Sequence, residues 1–174
     1  ELINEVLDMG KLESGEIMLE EVPFNLYDIG QNVLKIIEKM AEERKIEITQ
    51  DNIGVVHWNL IGSPVHVKRI MMNFISNAVK YNKEHGKIML RCREISAEGD
   101  TAVFEFTCRD TGIGMSREFQ EHLFEPFTQE RVGGYSKYGS TGLGMSITMG
   151  LVKRMGGDIT FESEKDKGTT FVIT

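Results

Sequence analysis

The chain is poor in cysteine. Cys92 and Cys108 are the only two, with no Cys-x-x-Cys spacing, too few for a disulfide scaffold or a structural zinc site. Thiols kept reduced in a cytoplasmic setting are the simplest reading. No apolar run approaches the ~20 residues that span a bilayer, and no signal peptide is visible. Membrane contact by this chain is therefore not expected. A basic excess is also missing: 20 Lys and Arg stand against 27 Asp and Glu, a net charge of −7, which argues against a nucleic-acid surface. Proline occurs only three times, whereas glycine occurs 18 times in 174 residues. Glycine without proline or a Gly-X-Y period is neither collagen nor a proline-rich linker. It marks backbone that bends tightly or approaches something closely.

What is present suits one domain, or one domain with a short appendage. Hydrophobic residues are 40% and charged residues 27%, enough apolar content for a packed core. The first residue is Glu1 rather than Met, so a piece of a longer protein is expected.

Leu2, Ile3, Val6, Leu7 and Leu12 fit a helical stripe ended around Gly10 to Gly15. Either this helix folds back on the domain, or its partner lies upstream or in a second chain. Residues 16–25 read as extended, and 26–44 as a long helix with Leu26, Ile29, Val33, Ile36, Ile37 and Met40 inward. Strands are predicted near 46–50 and 55–60. Ser63-Pro64 reads as a helix start with serine as N-cap, the helix running from about 64 to 81. Strands follow near 87–95 and 101–109, a short helix at 116–123, a polar loop at 128–141 and a helix at 142–155 stopped by Gly156-Gly157. Two closing strands fall at 158–163 and 169–174. Helices mixed with hairpin-like strand pairs favour a layered α+β sandwich over a doubly wound sheet.

Three clusters stand out. At about 100° per residue, Ile70, Met71, Phe74, Ile75, Ala78 and Val79 form the buried arc of the 64–81 helix. Asn73, Asn77, Lys80 and Tyr81 lie in one strip along its edge. A carboxamide oxygen can ligate a hard cation such as Mg²⁺, and a lysine can reach phosphate. The second cluster is Asp110-Thr111-Gly112-Ile113-Gly114-Met115. Period-two alternation puts Asp110 on the face of Phe104, Phe106 and Cys108, so its carboxylate points inward and needs a partner. An adenine amino group would satisfy it. The third is Gly139-Ser140-Thr141-Gly142-Leu143-Gly144-Met145, which opens a helix and offers backbone N–H groups to an anion. It is neither a Walker A loop nor a dinucleotide fingerprint, since Ile147 stands where the third glycine belongs. Singly, each has an ordinary explanation: a solvated helix edge, an Asp-Thr-Gly turn, a glycine-rich helix start.

In order and spacing, the clusters together resemble the catalytic and ATP-binding domain of bacterial sensor histidine kinases. That family sits with DNA gyrase, a heat-shock chaperone and mismatch-repair ATPases in the GHKL superfamily. Asn73 to Tyr81 resembles the N box, Asp110 to Gly114 the G1 box, Phe124 to Phe127 the F box and Gly142 to Gly144 the G2 box. Gly168-Thr169-Thr170 resembles the closing segment. The resemblance implies a Bergerat fold, a two-layer α/β sandwich with a mixed sheet on about three helices. It implies the end of a dimerisation helix and a linker over 1–20, and the ATP-binding domain over 21–174.

The resemblance also implies roles. Asn77 would hold Mg²⁺ with Asn73 beside it, Lys80 would contact phosphate, and Tyr81 would line the pocket. Asp110, Gly112, Gly114 and Met115 would surround the base, with Thr170 near the adenine. Thr141, Gly142, Leu143, Gly144 and Met145 would meet the phosphates. Residues 128–141 would be an ATP lid, with Arg131 or Lys137 on the γ-phosphate. Hydrolysing members carry glutamate where this chain has Asn73, so the site is expected to hold ATP without activating water. None of His57, His66, His85 and His122 is followed by Glu or Asp and then Pro, the pattern of the phosphoacceptor. The acceptor histidine would belong to a dimerisation region of the same, homodimeric protein, with a response regulator as the next partner. A serine protein kinase of the anti-sigma type and a degenerate nucleotide-binding scaffold are the alternatives.

Overall fold

The computed structural model describes residues 2–130 and 141–174. Helix α1 (Leu2–Glu13) is followed by strand β1 (Val22–Asn25), helix α2 (Leu26–Glu43), strands β2 (Glu47–Ile53) and β3 (Asn59–Gly62), and helix α3 (Pro64–Lys80). The hairpin of β4 (Lys87–Glu98) and β5 (Thr101–Asp110) precedes the short α4 (Arg117–Glu121), then α5 (Gly144–Arg154), and a second hairpin, β6 (Ile159–Glu164) with β7 (Gly168–Ile173). Five strands form one mixed sheet in the order β2-β4-β5-β7-β6. The β2–β4 pair is parallel, as its helical crossover requires, and the others are antiparallel. This is the expected α+β sandwich.

One face of the sheet is covered by α2, α3 and α5. Val33 and Ile37 of α2, Phe74, Ile75 and Val79 of α3, and Ile147 and Leu151 of α5 meet Ile88, Cys108 and Phe171 of the sheet. The Phe74 and Phe171 rings are 4.9 Å apart. Burying each such side chain stabilises the fold by roughly 1.5–3 kcal/mol. Burial also pushes the Cys108 thiol well above its ordinary pKa, and the Cys92 thiol up to about 11, so both behave as packing groups rather than nucleophiles.

Three local expectations are corrected, the first being that Ile36 and Met40 of α2, read as inward, are exposed. The strand expected near 55–60 is β3, at Asn59–Gly62, and it pairs with β1 in a separate ribbon rather than joining the sheet. Its late start has a cause on β4: the Glu94 carboxylate accepts the N–H groups of both Val56 and His57 at 2.9 Å, which takes them out of any ladder. Ser63 does occupy the N-cap position of α3, but its side chain makes no cap bond. Its buried hydroxyl instead accepts the N–H of Glu20 at 3.1 Å and meets His66 Nδ1 at 2.6 Å. Ser63 thus fastens the segment after α1 to the start of α3. Gly150, with no role evident from sequence alone, now has one. A Cβ there would stand 3.0 Å from a Leu12 methyl, so glycine lets α1 lie close against α5.

Helix α1 folds back on the domain. Asp8 pairs with Arg69 at 2.6 Å, and Thr141 Oγ1 donates to the Glu5 carboxylate. Beyond the helix, Arg154 holds the carbonyls of Ile17 and Gly15 at 2.6 and 2.9 Å. The opposite side of α1, Leu2, Ile3, Val6 and Leu7, stays exposed. No helix among the described residues is long and apolar enough to cross a membrane.

Candidate functional site

The asparagine strip of α3 faces the start of α5. The Asn73 carboxamide nitrogen donates to Gly144 O at 3.0 Å and to Thr148 Oγ1 at 2.7 Å. Its oxygen accepts from Asn77 Nδ2 at 3.3 Å. The Met145 sulfur lies 3.6 Å from both carboxamide nitrogens. Gly144 is required here, because a Cβ would come within 2.8 Å of Asn73 Oδ1. The two asparagines explain one another: Asn73 bridges α3 to α5 and orients Asn77. The oxygen of Asn77 accepts no hydrogen bond among the described residues, leaving a hard donor of the type Mg²⁺ takes. Beyond it, Lys80 Nζ stands 5.3 Å from the centre of the Tyr81 ring, a cation–π contact.

Asp110 ends β5 and points to the helix face, as the alternation predicts. Its Oδ1 accepts the N–H of Gly112 at 2.7 Å and of Thr169 at 3.3 Å. Burial raises its pKa above the ordinary aspartate value, and the Gly112 and Thr169 bonds pull part of that rise back. A half-buried carboxylate with unused acceptor capacity suits a ligand that donates hydrogen bonds. The loop after it is packed against the protein's own backbone. A Cβ on Gly112 would meet Tyr81 O at 2.4 Å, and one on Gly114, where φ is +60°, would meet Glu164 O at 2.0 Å. The glycines therefore set the loop's position, and Tyr81 O receives the Ile113 N–H at 3.0 Å. Met115 N–H donates to Ser163 Oγ at 2.9 Å.

The register of β7 separates the two threonines. Thr170 lies opposite Arg109 and Phe171 opposite Cys108. Thr169 therefore shares the helix-side face with Asp110, while Thr170 is on the other face. It is Thr169 that reaches Asp110 by its backbone, with its hydroxyl 2.8 Å from Ser163 Oγ. Sequence reading missed Ser163 and Thr169 in this role. The strand alternation that placed Asp110 would have found Thr169, had the pairing register been known.

At the start of α5, Leu143 is fully buried, and its N–H is taken by Thr141 Oγ1 at 3.3 Å. Gly142 lies against the backbone of Phe127, 2.7 Å from a would-be Cβ. Phe124 packs edge-on to Phe161 at 5.9 Å, whereas Phe127 is 65% exposed. Arg131 and Lys137 lie outside the described residues. Of the expected residues, the structure brings together Asn73, Asn77, Gly144 and Met145 in one group. Tyr81, Asp110, Gly112 and Gly114 form a second, joined to the first by the last turn of α3.

A family model described as histidine kinase-, DNA gyrase B- and HSP90-like ATPase matches residues 62–174. The chain is 36% identical over 170 residues to the signal transduction histidine-protein kinase BarA of Escherichia coli K12, covering 98% of this chain and 18% of that protein. It is 34% identical over 173 residues to the sensor histidine kinase GacS of Pseudomonas protegens, covering 99% and 19%. It thus spans about a fifth of such relatives. Among solved structures, full-length ShkA in complex with AMPPNP superposes with a TM-score of 0.80 at 26% identity, over 99% of this chain and 34% of that one. The histidine kinase AdeS of Acinetobacter baumannii shares the fold at a TM-score of 0.76 and 19% identity, over 98% of this chain and 74% of that one. With an asparagine-bearing helix, a half-buried aspartate and a glycine-opened helix gathered on one sheet, the chain belongs to the histidine kinase-, DNA gyrase B- and HSP90-like ATPase family.

Proposed function

We propose that the chain is the ATP-binding catalytic domain of a sensor histidine kinase. It transfers the γ-phosphoryl of ATP to a histidine on a dimerisation region, of which residues 1–20 are the end, in a homodimeric protein that passes the phosphoryl on to a response regulator. The observation that carries this reading is the Asn73 carboxamide, committed to Gly144, Thr148 and Asn77. An amide cannot take a proton at neutral pH, so this position supplies no general base for water. What remains is positioning and charge neutralisation, the main contributions to phosphoryl transfer.

In this mechanism Asp110 accepts the adenine amino group, Tyr81 lines the base pocket and Lys80 meets phosphate. Asn77 would hold Mg²⁺ through its carboxamide oxygen, and Asn73 sets the orientation of Asn77. The metal, when bound, would neutralise phosphate charge. Gly142, Leu143 and Gly144 form the phosphate side, with Thr141 fixing the Leu143 N–H. Thr169 orients Asp110, with Thr170 in a lesser part. Arg131 and Lys137 are the candidates for the γ-phosphate.

The experiment is transfer in trans. The chain is mixed with Mg-ATP and a separately made dimerisation region carrying its acceptor histidine. Acid-labile phosphate on that region, lost on Asn77→Ala, is the expected result. Nucleotide binding without transfer would favour a scaffold instead, and phosphate that is stable to acid would point to a serine kinase.

A further inference from the structure

The last turn of α3 ends in carbonyls that the helix itself does not fully use. Three of them converge on one side chain. Arg44 Nη1 donates to Val79 O and, at 2.7 Å, to Lys80 O, while Nη2 donates to Asn82 O at 2.6 Å. The remaining carbonyl of the turn, that of Tyr81, accepts from Ile113 in the Asp110 loop. Every carbonyl from 79 to 82 is thus held.

Arg44 is itself well anchored. It is the C-cap residue of α2, its N–H bonded to Ala41 O and Glu42 O. Its own carbonyl accepts the His85 N–H at 3.3 Å. One guanidinium therefore stands where the C-termini of α2 and α3 meet, a favourable place for positive charge. Its planar fork of donors suits several carbonyls at once, which a lysine ammonium does less well.

We infer that Arg44 is a positioning residue for the nucleotide site, acting through Lys80. It fixes the turn that carries Lys80, so that the ammonium is presented to phosphate in one geometry. The inference rests on the reading of Lys80 as a phosphate contact. Without the guanidinium, half-buried carbonyls lose their donors and the turn relaxes. A shift of about 1 Å in a positioning element is enough to weaken function severely.

The test is calorimetric titration with Mg-ATP of the wild-type chain, Arg44→Gln, Arg44→Lys, Lys80→Ala and the double variant Arg44→Gln/Lys80→Ala. Arg44→Gln is expected to bind about tenfold more weakly, the loss of one charge-assisted contact, and Arg44→Lys to recover part of it. In the Lys80→Ala background the further loss from Arg44→Gln falls below about twofold, because coupled residues are not additive. Arg44→Gln binding as tightly as wild type, or losses that multiply fully in the double variant, would overturn the positioning role. Should Arg44→Gln fail to fold, Arg44→Lys is compared in the two backgrounds with the same expectation and the same overturning result. A wild-type chain that binds no Mg-ATP overturns the nucleotide reading itself, and the positioning role with it, so the two failures are told apart.

Discussion

Asn73 Nδ2 donates to Thr148 Oγ1 at 2.7 Å, joining the helix that bears the asparagine strip to the helix that the glycine cluster opens. The Thr148 hydroxyl in turn donates to Gly144 O at 2.8 Å. Thr148→Val keeps the shape and removes both bonds. It should lower stability by about 2 kcal/mol, two typical net hydrogen bonds, and weaken Mg-ATP binding severalfold by freeing Asn73. Urea unfolding and calorimetry on the one variant check both. Lost stability with unchanged binding would detach Thr148 from the site.

Asp110 carries an opposed pair of effects. Its folded pKa is raised, so the folded chain holds that proton to higher pH than the unfolded chain does. Its contribution to stability therefore declines as pH rises from the ordinary aspartate value of ~3.9 through the raised one. Asp110→Asn keeps an oxygen for Gly112 and Thr169 but buries no charge. Without nucleotide it should melt at or above the wild-type temperature at pH 7. It should nevertheless bind Mg-ATP at least about tenfold more weakly, since an amide donor would then face the adenine donor. Melting curves from pH 3 to 7, with and without Mg-ATP, read both effects.

Glu94 has the reverse sign. The His57 N–H, the His57 ring and the Val56 N–H hold its pKa down at about 2. The stability it contributes is fully present above the unfolded value of ~4.3 and is lost as pH falls through the folded one. Wild type should thus lose melting temperature between pH 4.5 and 2 more steeply than Glu94→Gln. Parallel acid limbs for the two proteins would contradict this.

Gly150 is a contact between α5 and Leu12. Gly150→Ala should be near neutral: helix propensity gains about 0.5–1 kcal/mol, and the flexible end of Leu12 must give way. Gly150→Val leaves no such room and should lift α1. Limited trypsin digestion at Lys11 would then accelerate about tenfold or more, tracking the opened population. Equal digestion rates for wild type and Gly150→Val would show that α1 is held without this contact.

Much of this arrangement was legible in the sequence because it depends on local periodicity. The buried arc of α3, with Ile70, Phe74, Ile75, Ala78 and Val79 inside, follows from spacing alone, as does the inward turn of Asp110. What was not legible depends on distant partners. Glu94 turns residues 56 and 57 into a loop from nearly 40 positions away. Ser63 trades its helix cap for Glu20. Thr169 rather than Thr170 meets Asp110 because of the β5–β7 register, which no short-range pattern encodes. Gly150 is intelligible only once α1 is seen against it.

The central claim is that this site holds ATP without activating water. Its most direct measurement is a single incubation of the chain with Mg-ATP, following bound nucleotide and released inorganic phosphate together. One nucleotide bound per chain is expected, with phosphate release no faster than in buffer over the time that transfer in trans requires. Steady turnover to ADP and phosphate, or no nucleotide bound at all, would contradict the account.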